Sequence, residues 1–411
     1  MRHNTRFPYP APPMPSSIFL LSLCQALMMS ATTLMITAAS LVGFMLADNK
    51  ALATLPLALQ FFATMLTTIP ASLFMERFGR KTGFLLAGVI GTTGGVLATQ
   101  GILDGNFWLF TVGALGIGVF NGFGNYYRFT ASELVDEDHR SRAISYVLAG
   151  GVIAAFIGPN LAHWSEWSLG GARFAGSFAA VIGLYLLSML IVAGMRLPAA
   201  PKAGFSGGGR PLREIVSQPL FITAAISGML GYGIMNFLMT ATPLAMQGCD
   251  LPLGDTAFVI EWHVLGMFVP SFFTGHLIRR FGAIPIMLIG AAADGLSIFV
   301  NLSGQTTEHF WLALLLLGIG WNFLFIGATT LVTGAYRPEE KAKAQAANDF
   351  LVFSTVTATT LSSGALLHEY GWRWVNLGVI PLLIIVVLSL VWLWRIQAGL
   401  REEEVAADER R

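Results

Sequence analysis

Apolar runs long enough to cross a bilayer recur along almost the whole chain, separated by short polar turns that hold most of its charge. A helix needs about 20 apolar residues to cross the hydrocarbon core. The first six runs of that length lie near Ile18–Leu46, Leu52–Phe74, Phe84–Leu103, Phe107–Phe129, Ala143–His163 and Phe174–Met195. Six more lie near Leu220–Leu244, Thr256–Phe273, Ile284–Leu302, Phe310–Thr333, Ala344–Leu367 and Val375–Leu393. Each reads as a membrane-spanning α-helix, because a helix satisfies its own backbone polar groups where no water is present.

The twelve runs form two sets of six. The turn Pro70-Ala-Ser-Leu-Phe-Met-Glu-Arg-Phe-Gly-Arg-Lys81 closes the second run, and Gly275-His-Leu-Ile-Arg-Arg-Phe-Gly282 closes the eighth. Asn121 and Asn322 are 201 residues apart, as are Arg142 and Lys343, and Gly171-Ala-Arg173-Phe174 returns as Gly371-Trp-Arg373-Trp374 after 200. Several echoes in register predict a duplicated unit whose copies are related by an axis along the membrane normal. Glycines and prolines between Leu197 and Pro219 mark a linker. The expected organisation is a Pro-rich tail (1–16), a first bundle (17–196), the linker (197–219), a second bundle (220–395) and a charged tail (396–411).

Composition agrees with this pattern and narrows it. Hydrophobic residues make up 55% of the chain and charged residues 11%, where a soluble protein carries about a quarter charged. If both termini are cytoplasmic, 21 of the 24 lysines and arginines fall on that side, as basic retention in cytoplasmic loops requires. An odd number of spans would scatter them over both faces. A net charge of +1 gives no reason to expect nucleic acid as a partner. Cys24 and Cys249 are too few for a disulfide framework or a thiolate site, and the seven histidines have no metal-binding spacing. No phosphate-binding loop is present, and Gly207–Gly209 reads as linker. Neither a cofactor nor a metal is expected.

The Pro70–Lys81 turn resembles the loop between the second and third helices of the major facilitator superfamily, Gly-x-x-x-Asp-Arg-x-Gly-Arg-Arg. Ser72, Glu76, Arg77, Gly79, Arg80 and Lys81 occupy its positions, with Ser72 for the glycine and Glu76 for the aspartate. The second copy keeps Gly275, Arg280 and Gly282 but has Arg279 at the acidic position. The resemblance implies an all-α polytopic membrane protein with twelve transmembrane helices in two pseudo-symmetric six-helix bundles. It implies a monomer in the lipid bilayer of the bacterial inner membrane, with a cavity lined by the first, fourth, seventh and tenth helices. It makes Glu76, Arg77, Gly79, Arg80, Lys81, Arg280 and Gly282 a cytoplasmic gate, which Asp349, beside Asn348 and near Lys341 and Lys343, is expected to join. Gly158-Pro159 in the fifth span resembles the end of a glycine series found in antiporters of that superfamily.

Ionisable groups inside an apolar span are costly, which makes each a functional candidate. Glu261 and His263 in the eighth span and Asp294 in the ninth are the proton-coupling candidates, Glu261 first because burial brings a carboxyl toward proton exchange near neutral pH. Two residues apart on a helix, Glu261 and His263 point about 200° from each other, so at most one faces a central cavity. Packing between helices is the competing role for each, and a pairing role for Asp294. In the fourth span Asn121, Asn125 and Arg128 form one polar stripe with Tyr126 beside it. An ion pair with Glu133 or Asp136 is the alternative duty for Arg128. Gln25, Asn236 and Asn322 complete the cavity candidates. Amides without fixed charge suit a neutral or amphipathic solute, and Phe120, Trp262, Trp321 and Phe325 suit a flat one, although helix packing competes for these rings.

The expected function is secondary active transport of a small organic solute by alternating access, coupled to protons. Export of a drug or metabolite is preferred to import of a metabolite or vitamin. A facilitated carrier without ion coupling and a non-transporting receptor or scaffold are the rivals. No nucleophile, base and orienting group share an enzyme-like arrangement.

Overall fold

The computed structural model describes residues 15–136, 139–197 and 209–408. Residues 1–14 of the Pro-rich tail and the glycines at 204, 207 and 208 lie outside the described residues, and every regular element among the described residues is helical. The first half comprises α1 (Ser16–Leu46), α2 (Leu55–Phe78), α3 (Arg80–Leu103), α4 (Phe107–Gly124), α5 (Tyr127–Glu133), α6 (Arg140–Leu148), α7 (Gly150–Trp164) and α8 (Ala175–Gly194). A short α9 (Leu212–Val216) leads into α10 (Pro219–Gly248), α11 (Leu253–Phe268), α12 (Ser271–Phe281), α13 (Ala283–Ser303) and α14 (Thr307–Ala335). The last helical stretch, Lys341–Asp408, is broken at Gly371 by φ 78° and ψ 175° into α15 (341–370) and α16 (372–408).

Ten of these helical stretches are long and apolar enough to cross a membrane, and α11 with α12, bent by 40°, supplies another span. The longest, Lys343–Gly399, has 57 residues and crosses twice because Gly371 interrupts it. Twelve spans result, and the chain is an integral membrane protein. Large apolar side chains such as Leu190 (70% exposed) and Phe299 (67%) stand on the outer surface, the side that lipid covers.

Duplication is visible in backbone angles. Gly79 separates α2 from α3 with φ 88° and ψ 156°, and Gly282 separates α12 from α13 with φ 88° and ψ 161°. That positive φ is open to glycine and strained for other residues, so the glycine of each turn copy is fixed by conformation.

Small residues let helices touch along their backbones. A β-carbon at Gly113 of α4 would collide with the backbone nitrogen of Ala98 in α3 and lie 2.6 Å from the Gly94 carbonyl. At the end away from the Gly79 and Gly282 turns, the two halves meet. The Thr54 hydroxyl donates to the Leu361 carbonyl of α15 at 3.3 Å, and Asn160 of α7 donates to Glu261 of α11 at 2.6 Å. Residues 33–43 of α1 and 233–243 of α10 are buried throughout. At the turn end Arg128, Asp349, Ile69 (64% exposed) and Phe350 (62%) are exposed. Ile69 of α2 faces α9, α10 and α15 there across an apolar cleft of about 820 Å³. The space between the halves is sealed at one end and open at the other.

Candidate functional site

Helix α14 carries the aromatic cluster of the second half. Its Gly320 faces Asp294 of α13 and its Gly318 faces the His263 carbonyl of α11, so the helical period turns Trp321 and Phe325 inward, between α10 and α11. Their rings are stacked, 4.9 Å apart and 10° from parallel, and Tyr232 of α10 stands edge-on to both at 5.3 and 5.7 Å. Tyr232 and Phe325 are half-buried. A flat ring fits against such a face.

The first half carries amides on α1 and α4. Gln25 of α1 and Asn121 of α4 are buried, and Asn125, capping α4, is half-buried. Asn121 donates to the Thr32 hydroxyl at 3.2 Å and its carbonyl oxygen has no partner. The Tyr126 hydroxyl donates to the Thr68 carbonyl at 2.9 Å. Arg128 lies exposed, its guanidinium 4.9 Å from the Phe129 ring, and it shares an electrostatic field with Asp349 of the other half.

Other candidates are used elsewhere. Asn236 donates to the Thr360 hydroxyl at 2.5 Å and to the Val356 carbonyl at 3.2 Å, tying α10 to α15. Asn322 bonds to three groups of α11 and α12. Phe120 is stacked on Tyr185 at 4.0 Å, and Trp262 stands edge-on to Trp311 at 5.9 Å. Glu261 and His263 diverge: Glu261 accepts from Asn160 in the first half, while His263 Nδ1 lies 2.7 Å from the Leu314 carbonyl and its Nε2 has no partner. Asp294 is fully buried against α14 with neither carboxyl oxygen hydrogen-bonded.

The charged turns form clamps within each half. Arg80 pairs with Glu133 at 2.6 and 3.3 Å, so Glu133 is engaged by Arg80 rather than by Arg128. Lys81 caps α8 through the carbonyls of Ala193 and Met195 at 2.6 and 3.0 Å. Glu76, Arg77, Arg280 and Asp349 are exposed; Arg77 and Arg280 lie over Phe78 and Phe281, and Asp349 accepts from Asn348. In the second half the base comes from the linker: Arg210 donates to Glu340 through Nε at 2.9 Å, Nη2 at 2.7 Å and its backbone N–H at 2.7 Å. Sequence reasoning missed Asn160, Glu340 and the role of Arg210. An acid near the end of the fourth helix of each half was the available signal.

The guanidinium of Arg210 holds the Glu340 carboxyl well below the ordinary carboxylate range. A folded value below the unfolded one stabilises above about pH 4.3 and is lost as pH falls toward the folded value. Glu340→Gln is therefore expected to lower the melting temperature at neutral pH, with the gap to wild type narrowing below about pH 4. Melting curves across that range test this, and an equal gap at every pH would refute it.

The Major Facilitator Superfamily model matches residues 18–354 and 255–410. A riboflavin transporter, RfnT, of Brucella anthropi is 41% identical over 379 residues, covering 91% of this chain and 95% of that protein. Among solved structures, a D-xylose–proton symporter superposes with a TM-score of 0.72 at 14% identity, covering 93% of this chain and 98% of that one. A nucleoside transporter, NupG, superposes with 0.68 at 14% identity, covering 92% and 98%. With its twelve spans, repeated glycine turns and match to the family model over nearly its whole length, this chain belongs to the major facilitator superfamily and is a transporter of a small solute.

Proposed function

We propose that this chain carries riboflavin, or a solute with the same flat, polar-edged ring system, across the membrane by alternating access. The observation that carries the proposal is the stacked Trp321–Phe325 face with Tyr232 beside it, and the first half adds the amides of Gln25, Asn121 and Asn125. An isoalloxazine ring needs an aromatic face to stack on and amides to meet its carbonyl and imide edge. The 41% identity to a protein named as a riboflavin transporter supports the same solute. Riboflavin is a vitamin, so this reading takes the import alternative in place of export.

In this reading the halves rock about the site. The charge bias of the loops makes the Gly79 end cytoplasmic, so the arrangement with that end open faces inward, both termini lie inside, and the chain works as a monomer in the plasma membrane. Protons drive the cycle through Glu261, whose hydrogen bond to Asn160 joins the halves at the sealed end. A proton on Glu261 weakens that charge-assisted bond and favours opening there.

A bound ligand stabilises by mass action, so riboflavin at saturating concentration is expected to raise the melting temperature of the purified protein and to enter proteoliposomes containing it. Absence of both rejects the flavin reading. Glu261→Gln is expected to abolish flux driven by a pH gradient while riboflavin still binds; proton dependence equal to wild type removes Glu261 from the coupling.

A further inference from the structure

The eighth span is broken where α11 ends at Phe268 and α12 begins at Ser271, with a 40° bend. Pro270 lies in the break and has no N–H to continue the helical ladder. Beyond it Phe272 and Phe273 donate only three residues back, to Val269 at 3.3 Å and Pro270 at 2.9 Å. A carbonyl freed by such a break needs another donor when no water is at hand.

Asn322 supplies that donor from α14. Its Nδ2 donates to the Met267 carbonyl and to the Ser271 hydroxyl, both at 2.6 Å, and its Oδ1 accepts from the Thr274 hydroxyl at 2.7 Å. The Met267 carbonyl only accepts, which fixes which end of the amide is which. The side chain is 1% exposed. One amide thus spans the break, with Met267 before it and Ser271 and Thr274 after it.

The first half is built differently at the corresponding place. There α2 passes through Pro70 as one helix, Leu55–Phe78, and Asn121 donates to Thr32 of α1. The break and its amide belong to the second half alone. On α14 Asn322 directly follows Trp321 of the ring cluster, while α11 carries Glu261 and α12 has Arg279 and Arg280 in its last turn.

We infer that Asn322 is a positioning residue: it holds the break of the eighth span as a hinge and couples the ring cluster of α14 to the gating helices α11 and α12, without binding solute itself. The transport arm of the test rests on the flavin reading; the exchange arm does not.

The experiment compares wild type with Asn322→Ala, Asn322→Asp and Thr274→Val by amide hydrogen exchange in detergent, and by riboflavin binding and flux. With Asn322→Ala, amides of residues 268–274 are expected to exchange about tenfold faster, with those of α3 and α4 unchanged. Flux turnover falls about tenfold while the dissociation constant moves less than about twofold, the split expected of an interaction that acts on the conformational step. Asn322→Asp keeps an acceptor for Thr274 but cannot donate to Met267, and so resembles the alanine variant. Thr274→Val removes the hydroxyl that lies against Asn322 Oδ1 and the Pro270 carbonyl but keeps the Asn322 bond to Met267, so it gives a smaller change, and it carries the test if Asn322→Ala does not fold. Unchanged exchange at 268–274 overturns the hinge, and lost binding with unchanged turnover makes Asn322 a solute ligand instead. If wild type binds no riboflavin, the flavin reading fails and the exchange result alone decides the hinge.

Discussion

Replacing Phe325 by alanine is expected to weaken riboflavin binding about ten- to a hundredfold, the range for removing one aromatic platform from under a stacked heterocycle. Phe325 is the half-buried member of the Trp321–Phe325 stack, so its free face is the one open to a solute. Trp321 behind it is only 7% exposed and serves as backing. Phe325→Trp keeps a flat face and is expected to retain affinity within about threefold, since an aromatic platform tolerates exchange of one ring for another. Quenching of riboflavin fluorescence on titration with purified protein reads the affinity directly, and the melting temperature without ligand reports whether each variant is folded. A folded Phe325→Ala variant that binds as wild type does would place the solute elsewhere in the cavity.

The second large effect concerns folding. Gly113→Val is expected to destabilise by about 3 kcal/mol or more, at or beyond the upper end for overpacking, and so to leave little folded protein in the membrane. The space a side chain would need is filled by backbone: the Ala98 nitrogen and the Gly94 carbonyl of α3. Backbone cannot rotate aside as a methionine can, so α3 and α4 must separate along their shared face. Gly183→Val is the control. It introduces the same residue on α8, where no atom of another helix lies within 4 Å of the added β-carbon, and wild-type yield is expected. Yield and monodispersity on gel filtration compare the two, and equal behaviour would show that the α3–α4 contact is not what requires glycine.

Much of the architecture was legible because it is written locally. Span length follows from the thickness of the hydrocarbon core, and Gly79 and Gly282 lie at turns between apolar runs. Their shared positive φ shows that the two motif copies adopt one geometry. Divergence of Glu261 and His263 followed from two steps of a helix, and they reach different partners, Asn160 and the Leu314 carbonyl. Which helix each amide is tied to was not legible. Asn121, Asn236 and Asn322 looked alike in sequence, and each is engaged by a different neighbouring helix more than 45 residues away. Arg210 was one base in a linker until the fold brought it to Glu340, 130 positions on.

By itself the sequence determined that this chain crosses the membrane twelve times in two related sets of six, because hydropathy and loop charge act on each segment separately. Only the tertiary structure decided which polar side chains are tied to a neighbouring helix. In a medium without water a buried amide bonds to the partner that helix packing brings near, as Asn236 and Asn322 do. That partner is set by distant parts of the chain, as the 120 positions between Asn236 and Val356 show.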